Sequence, residues 1–245
     1  MAGKKFGMQM KRYVSLVLVG MLVAVQAACT AMIPDAVRAE MSVQPVRSGK
    51  QDSDANWYEY VVYRIDDHRF ITIRSPQKCD GHLDGNIYYN DTHKGVRTFV
   101  SFTGSAANGL YRGYYAVNSD LEYIAIPSLS FSQTRGMMLH INYSHDGGHT
   151  FRSFILGNET SDIAVLVEDK NLFLTTIDLR KSGSSSLRSV GVRFDISQNM
   201  ESDTALFNAG TSVVEKYGRD IYKIPPDIKS PSGEIRWSCP LASMQ

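Results

Sequence analysis

The chain has 245 residues, with 26 basic and 25 acidic side chains and a formal net charge of +1. Removal of residues 1–28 as a leader would take away four basic residues and no acidic ones, which leaves 22 basic and 25 acidic side chains, a net charge of −3. This balance argues against nucleic acid or an anionic membrane as the main electrostatic partner. The 217 residues from Cys29 onward can bury one substantial core or two small ones.

The first 28 residues have the pattern of a signal peptide. Four basic residues precede an uncharged apolar stretch over 14–28, which is too short to cross a bilayer comfortably. The alternative is a short membrane anchor. We therefore predict an exported protein with a signal peptide over residues 1–28.

Cys29 follows Gln26-Ala27-Ala28, a pattern that resembles a bacterial lipobox. It predicts lipidation of Cys29. Because Thr30 stands where an inner-membrane lipoprotein has aspartate, the expected anchor is the periplasmic leaflet of the outer membrane. Gln26 departs from the usual leucine, so cleavage by ordinary signal peptidase is the alternative. Residues 29–55 contain no aromatic side chain, and they are predicted to be a flexible tether.

If Cys29 is lipidated or removed with the leader, two cysteines remain, Cys79 and Cys239. In an oxidising periplasm they predict one disulfide, with two free buried thiols as the alternative. Neither cysteine lies in a C-x-x-C pair, so a zinc site is disfavoured.

Residues 56–245 are predicted to form a single all-β domain. Alternating apolar and polar residues, β-branched and aromatic content, and turn residues mark successive short strands. They cover 57–65, 69–74, 86–90, 96–102, 111–117, 121–126, both arms of a hairpin within 137–156, 163–168, 172–178 and 190–196. The pattern predicts antiparallel sheets arranged as the blades of a small or incomplete β-propeller, with a β-sandwich as the alternative.

Three connections carry further expectations. The strands 111–117 and 121–126 are predicted to pair as a hairpin. Residues 200–217 predict a short helix capped near Ser202 or Asp203. The proline-broken end, 221–240, is expected to lie across the surface until Cys239 fixes it.

The turn of the 137–156 hairpin has the spacing S-x-D-x-G-x-T-F, which resembles the Asp-box of sialidases and other β-propeller proteins. The matching residues are Ser144, Asp146, Gly148, Thr150 and Phe151. In those families the box builds the hairpin, because the aspartate bonds the backbone of its own turn. The resemblance implies a structural role for this turn.

No sequence motif brings residues together in a catalytic constellation. Asp66, Asp67 and His68 resemble an acid/base cluster, but they fall in a predicted turn, where aspartates are turn formers. His140, His145 and His149 lack spaced partners for a metal shell. These residues therefore predict no metal site.

Four stretches together resemble a family of type VI secretion lipase-immunity proteins. They are YRIDDHRFITI over 63–73, Cys79, IYYNDTHKGVRT over 87–98 and YSHDGGHTF over 143–151. The resemblance implies a periplasmic protein that binds and neutralises a cognate phospholipase or lipase toxin. It also implies that the chain is not an enzyme and needs no cofactor.

Such a protein acts by tight binding, which needs a rigid scaffold and a complementary surface. The hypothesis is that two loops contribute to the interface, through Asp66, Asp67, His68, Asp91, His93 and Lys94. The alternative is that both loops are ordinary solvated turns. Alternative functions are a carbohydrate-binding or sialidase-like propeller protein of the envelope and a structural envelope lipoprotein.

Overall fold

The computed structural model describes residues 57–103, 108–119, 122–158, 162–178, 181, 187–225 and 227–239, apart from the side chain of Asn158. The predicted signal peptide 1–28, the lipidation site Cys29 and the tether 29–55 lie outside the described residues, so these expectations stay predictions.

Twelve strands of the described chain form three sheets. Sheet 1 has the order β1-β2-β3-β4 and consists of β1 (Tyr58–Arg64), β2 (Arg69–Ser75), β3 (Gly85–Asp91) and β4 (Val96–Thr103). Sheet 2 has the order β12-β11-β10-β9-β5 and consists of β5 (Tyr114–Asn118), β9 (Ile163–Glu168), β10 (Asn171–Ile177), β11 (Leu187–Asp195) and β12 (Arg219–Ile221). Sheet 3 has the order β6-β7-β8 and consists of β6 (Ile124–Ser132), β7 (Gly136–Ser144) and β8 (Arg152–Asn158). The prediction of an all-β, mainly antiparallel fold is confirmed, and the sandwich-like sheets fit the alternative to propeller blades.

Strands β5, β9 and β10 of sheet 2 are buried on both faces. Leu172 and Leu174 of β10 belong to the larger hydrophobic cluster, which also includes core residues of sheets 1 and 3. Phe173 and Ile177 of the same strand belong to a second cluster. Because successive side chains of a strand point to opposite faces, one strand supplies both clusters. This explains the nearly continuous apolar sequence of β9.

The predicted hairpin between 111–117 and 121–126 is wrong. β5 pairs in parallel with β9, whereas β6 pairs with β7 in the other sheet. Four consecutive residues of β5, from Tyr114 to Val117, are buried. Burial on both faces fits parallel pairing with β9 in a sheet covered on both sides better than it fits a hairpin with one solvated face.

The single predicted helix is two short helices, α1 (Asp203–Asn208) and α2 (Val213–Tyr217). The Ser202 side chain accepts a hydrogen bond from the Ala205 N–H, so the predicted cap is confirmed. Within the described part of the chain, no helix has the length and apolar character needed to cross a bilayer.

The C-terminal segment is a structural part of the domain, which corrects the expectation that it lies across the surface. Ile224, Ile228 and Trp237 are buried, and the first two belong to the second cluster on sheet 2. The Ser238 N–H donates to the Val62 carbonyl at 3.0 Å, so the segment also covers the outer edge of β1. The predicted disulfide is confirmed: Cys79 and Cys239 are bonded, and their Cα atoms lie 5.6 Å apart.

Candidate functional site

The two loops that the sequence proposes for binding meet at one end of sheet 1. Residues 66–68 form the turn between β1 and β2, and residues 91–94 form the turn between β3 and β4. We call these two segments the turn pair. The Thr92 N–H donates to the His68 carbonyl at 3.0 Å. The rings of His68 and His93 stack with their centroids 4.0 Å apart. All six predicted partner-binding residues therefore lie in one pair of adjoining turns; their role in binding stays a prediction.

Asp66 shapes the first turn from within. One oxygen of its carboxylate, Oδ1, accepts from the His68 N–H at 3.0 Å and from the Arg69 N–H at 2.6 Å. The other, Oδ2, accepts from Arg69 Nε at 2.6 Å. Partial burial opposes ionisation, but these bonds outweigh it and lower the pKa of Asp66. Arg69 is itself buried and donates to the Ser119 carbonyl at 2.6 Å, which ties the turn to the chain beyond β5.

Asp91 shapes the second turn in the same way, by accepting hydrogen bonds from the backbone of its own turn. It is buried, and its Oδ1 accepts from the N–H groups of His93 and Lys94 at 3.0 and 3.1 Å. Asp66 and Asp91 thus determine the shape of the turn pair. Asp67, His93 and Lys94 are the exposed members and would meet a partner directly.

Asp66, Asp67 and His68 are also a group of the described residues that could hold a metal ion, since their ligand atoms lie within 4.8 Å of one another. These atoms are already engaged inside the turn. His68 Nδ1 lies 2.7 Å from Asp67 Oδ1, and both Asp66 oxygens accept hydrogen bonds from Arg69. The arrangement fits a turn former better than a metal site.

The 144–151 turn satisfies its own polar groups. Asp146 accepts from the Thr150 N–H at 3.0 Å and from Thr150 Oγ1 at 2.6 Å. Ser144 Oγ accepts from the Gly148 N–H at 2.9 Å and donates to Asp146 at 2.7 Å. The Phe151 ring packs edge-on to the Tyr89 ring of β3, with centroids 6.0 Å apart. These contacts fit a fold-building role, and assignment to the Asp-box class stays a prediction.

The three histidines near this hairpin have separate partners. His140 Nε2 lies 2.7 Å from Ser130 Oγ on the neighbouring strand, and His145 Nε2 lies 3.0 Å from Asn199 Oδ1. His149 is exposed. His140 and His145 therefore lie beside different polar partners.

Replacement of Asp146 by Asn is expected to reduce the acid sensitivity of the fold. Burial opposes ionisation of Asp146, but the bonds from Thr150 and Ser144 outweigh it and lower its pKa from 3.8 to about 2. A carboxyl whose folded pKa is depressed stabilises the fold above its unfolded pKa, and this contribution is lost as the pH falls through the folded pKa. Urea unfolding of wild type and Asp146→Asn should therefore differ most near neutral pH, with the difference vanishing between about pH 4 and pH 2. A difference that is constant across this range would contradict the assignment.

Sequence reasoning missed a second exposed feature, on the side of sheet 1 that faces away from the core. Arg97 and Phe99 of β4 are exposed there, and Phe102 lies at the far end of the same strand. The alternation of β4 indicates that Arg97 and Phe99 share a face. It does not reveal that this face is open to solvent, because that depends on the packing of the other sheets.

Comparison with known proteins adds a family match. Residues 57–176 match the family model described as the T6SS Tli3 immunity protein. The range begins just before β1 and ends within β10, so it includes sheet 1, the turn pair and the 144–151 hairpin. The match supports the T6SS immunity family for this part of the chain. A search of curated proteins finds no match.

Proposed function

We propose that this chain is an immunity protein that binds and neutralises a cognate type VI secretion toxin. The observation that carries the proposal is the family match over residues 57–176. We further propose that the toxin is a phospholipase or lipase and that the chain acts in the periplasm, by occluding the toxin. The lipase specificity depends on the resemblance of the motifs in 63–73, 87–98 and 143–151.

The geometry of the turn pair supports a binding role. A protein that works by occlusion gains affinity when its surface is already ordered, because less conformational entropy is lost on association. Asp66 and Asp91 bond the backbone of their own turns, and Arg69 connects the first turn to the Ser119 carbonyl. The exposed charges of Asp67 and Lys94 are thereby held on a rigid support.

The proposed location follows from the N-terminal sequence. A lipid on Cys29 and a tether over 29–55 would hold the domain at the membrane, which is where a lipase attacks. Replacement of Cys29 by Ser should then release the chain into the soluble periplasmic fraction. If the variant stays in the membrane fraction, the lipid anchor is not what holds it there.

The central test uses the product of an effector gene that neighbours the gene for this chain. Cells that express this product in the periplasm should die alone and survive when the chain is co-expressed. The purified product should hydrolyse phospholipid vesicles, and addition of the chain should stop hydrolysis at about one chain per toxin. A product that degrades no lipid would contradict the lipase assignment. Protection by a variant that no longer binds would contradict occlusion.

Charge reversal in the turn pair is expected to weaken toxin binding. The double variant Asp67→Lys, Lys94→Glu should raise the Kd for the effector product by roughly 10-fold, mainly through slower association, because exposed interface charges steer encounter. Surface plasmon resonance measures both rates. The matched control reverses Asp220 and Lys223, exposed residues in and after β12 on sheet 2. If both double variants bind as wild type does, the turn pair lies outside the interface.

A further inference from the structure

The outward side of sheet 1 concentrates arginine and aromatic side chains. Strand pairing places alternate residues of the four strands on this side, opposite core residues such as Ile71, Ile87 and Tyr89. We call it the outer face, and its principal members are Arg64, Phe70, Tyr88, Arg97, Phe99 and Phe102. It adjoins the turn pair, because Arg64 is the last residue of β1 and Arg97 the second residue of β4.

Two phenylalanines leave a large apolar area in water. Phe99 is 43% and Phe102 67% exposed, and both belong to β4, a strand at the edge of sheet 1. Burial of such a ring against a partner is favourable by about 25 cal/mol per Å² of apolar surface. Single exposed aromatic residues are ordinary, whereas grouped ones on one face mark interaction sites.

The polar members of the outer face are already ordered. The Arg97 guanidinium lies 4.4 Å from the centre of the Tyr88 ring and donates to both oxygens of Glu59 at 2.5 and 3.2 Å. Glu59 also accepts from Thr72 Oγ1 at 2.8 Å. These contacts link all four strands of sheet 1. Little side-chain entropy therefore remains to be lost when a partner binds.

The charge of the outer face identifies the chemistry of its partner. Arg64, Arg74 and Arg97 alternate onto this face with one acidic strand residue, Glu59. At the edge of the face the Glu234 carboxylate accepts from the Arg64 N–H at 2.8 Å, so three arginines against two carboxylates leave a net charge of +1. Protein interfaces are enriched in arginine and aromatic residues, which also form most binding hot spots. The face carries no lysine, and Arg97 is fixed by an ion pair and a ring. A complementary partner would present carboxylates around an apolar patch.

We infer that the outer face of sheet 1 is the main docking surface for the toxin, and that the toxin meets it with acidic side chains surrounding an apolar or aromatic patch. This inference rests on the proposed immunity function and specifies where binding occurs. The turn pair then lies at one end of the interface and Phe102 at the other, with Phe99 between them on β4. A second copy of this chain is a less complementary occupant, since its own outer face would again present arginines and not a ring of carboxylates.

The test measures binding of the full chain to the purified effector product by calorimetry. Phe102→Ser is expected to raise the Kd by roughly 30-fold or more, which is the effect of losing a hot-spot residue. The matched control is Phe207→Ser on α1, a phenylalanine of similar exposure, at 71%; it should leave the Kd within about 2-fold, as expected outside an interface.

A second pair of variants tests the charge of the partner. Arg64→Ser should weaken binding and reduce its dependence on salt, because one attractive charge is lost. Arg135→Ser, an exposed arginine in the turn between β6 and β7, is its control. Circular dichroism and thermal unfolding establish that each variant is folded.

The outcomes separate this inference from the proposed function. If wild type binds and protects while Phe102→Ser and Arg64→Ser bind equally well, the docking surface is elsewhere and the immunity function stands. If wild type neither binds nor protects, the function itself fails. Two further results would overturn the inference: binding to phosphatidylglycerol vesicles that Arg64→Ser abolishes, and self-association that Phe102→Ser abolishes.

Discussion

Removal of the Cys79–Cys239 disulfide is expected to lower the free energy of unfolding by about 4–5 kcal/mol, since the bond closes a very long loop of the unfolded chain. The two cysteines are 160 positions apart in the sequence. The loss is a large share of the about 5–15 kcal/mol that stabilises a typical domain. Urea unfolding of Cys79→Ser, Cys239→Ser should therefore show a much lower midpoint than wild type.

The disulfide holds the C-terminal segment, whose residues contact β1 and β5. Near Cys239, Ser230 Oγ lies 2.6 Å from the Tyr63 hydroxyl and accepts from the Val117 N–H at 2.7 Å, so it joins β1 to β5. The Tyr115 N–H donates to the Ile235 carbonyl at 3.0 Å. Loss of the disulfide should loosen this segment, and with it the edge of sheet 1.

Two controls keep the result specific. Cys29→Ser removes the remaining cysteine and should leave the unfolding midpoint unchanged. Reductant should destabilise Cys29→Ser and have no effect on the double variant. If the double variant unfolds at the wild-type midpoint, the contacts of Ser230 and Ile235 hold the segment without the covalent bond.

Local chemistry explains which elements were predictable. The strand 163–168 was found with its observed bounds because a polar connector separates it from its antiparallel neighbour in sequence. The turn at Asp66 was recognised because a short carboxylate bonds the two N–H groups that follow it. Both signals depend only on residues close together in the chain.

Two of the differences between sequence and structure depend on distant partners. Sequence alternation pairs the strand 111–117 with its neighbour in the chain, but β5 pairs with β9, more than forty residues away. The end of the chain looked superficial because prolines and charges dominate it, yet its few apolar residues, Ile224, Ile228 and Trp237, are buried. Nothing in their spacing identifies what they cover.

The same limit applies to the candidate site. The turn pair could be proposed from sequence, since each turn carries its own signals. The outer face could not, because alternation separates two sides of a strand without identifying the solvated one. The sequence pattern of Phe99 and Phe102 is equally compatible with buried core positions.

Replacement of Gly148 by Ala is expected to destabilise the protein by about 3 kcal/mol, because backbone strain and a steric clash add together. Gly148 has a φ of +87°, which L side chains rarely adopt. A Cβ at this position would lie 2.2 Å from Cε1 of the Tyr89 ring. The ring is buried against Phe151, so it cannot move away freely. Urea unfolding measures the loss.

Gly136 separates the two causes. It has a similar φ of +75°, but a Cβ there would meet no atom within 4 Å. Gly136→Ala should therefore cost only about 1 kcal/mol, which is the backbone contribution alone. The excess for Gly148→Ala measures how tightly the 144–151 turn is seated on β3. If Gly148→Ala and Gly136→Ala lower the free energy of unfolding equally, the Tyr89 ring moves to accept the added methyl group. The 144–151 hairpin would then be held to sheet 1 by its other contacts.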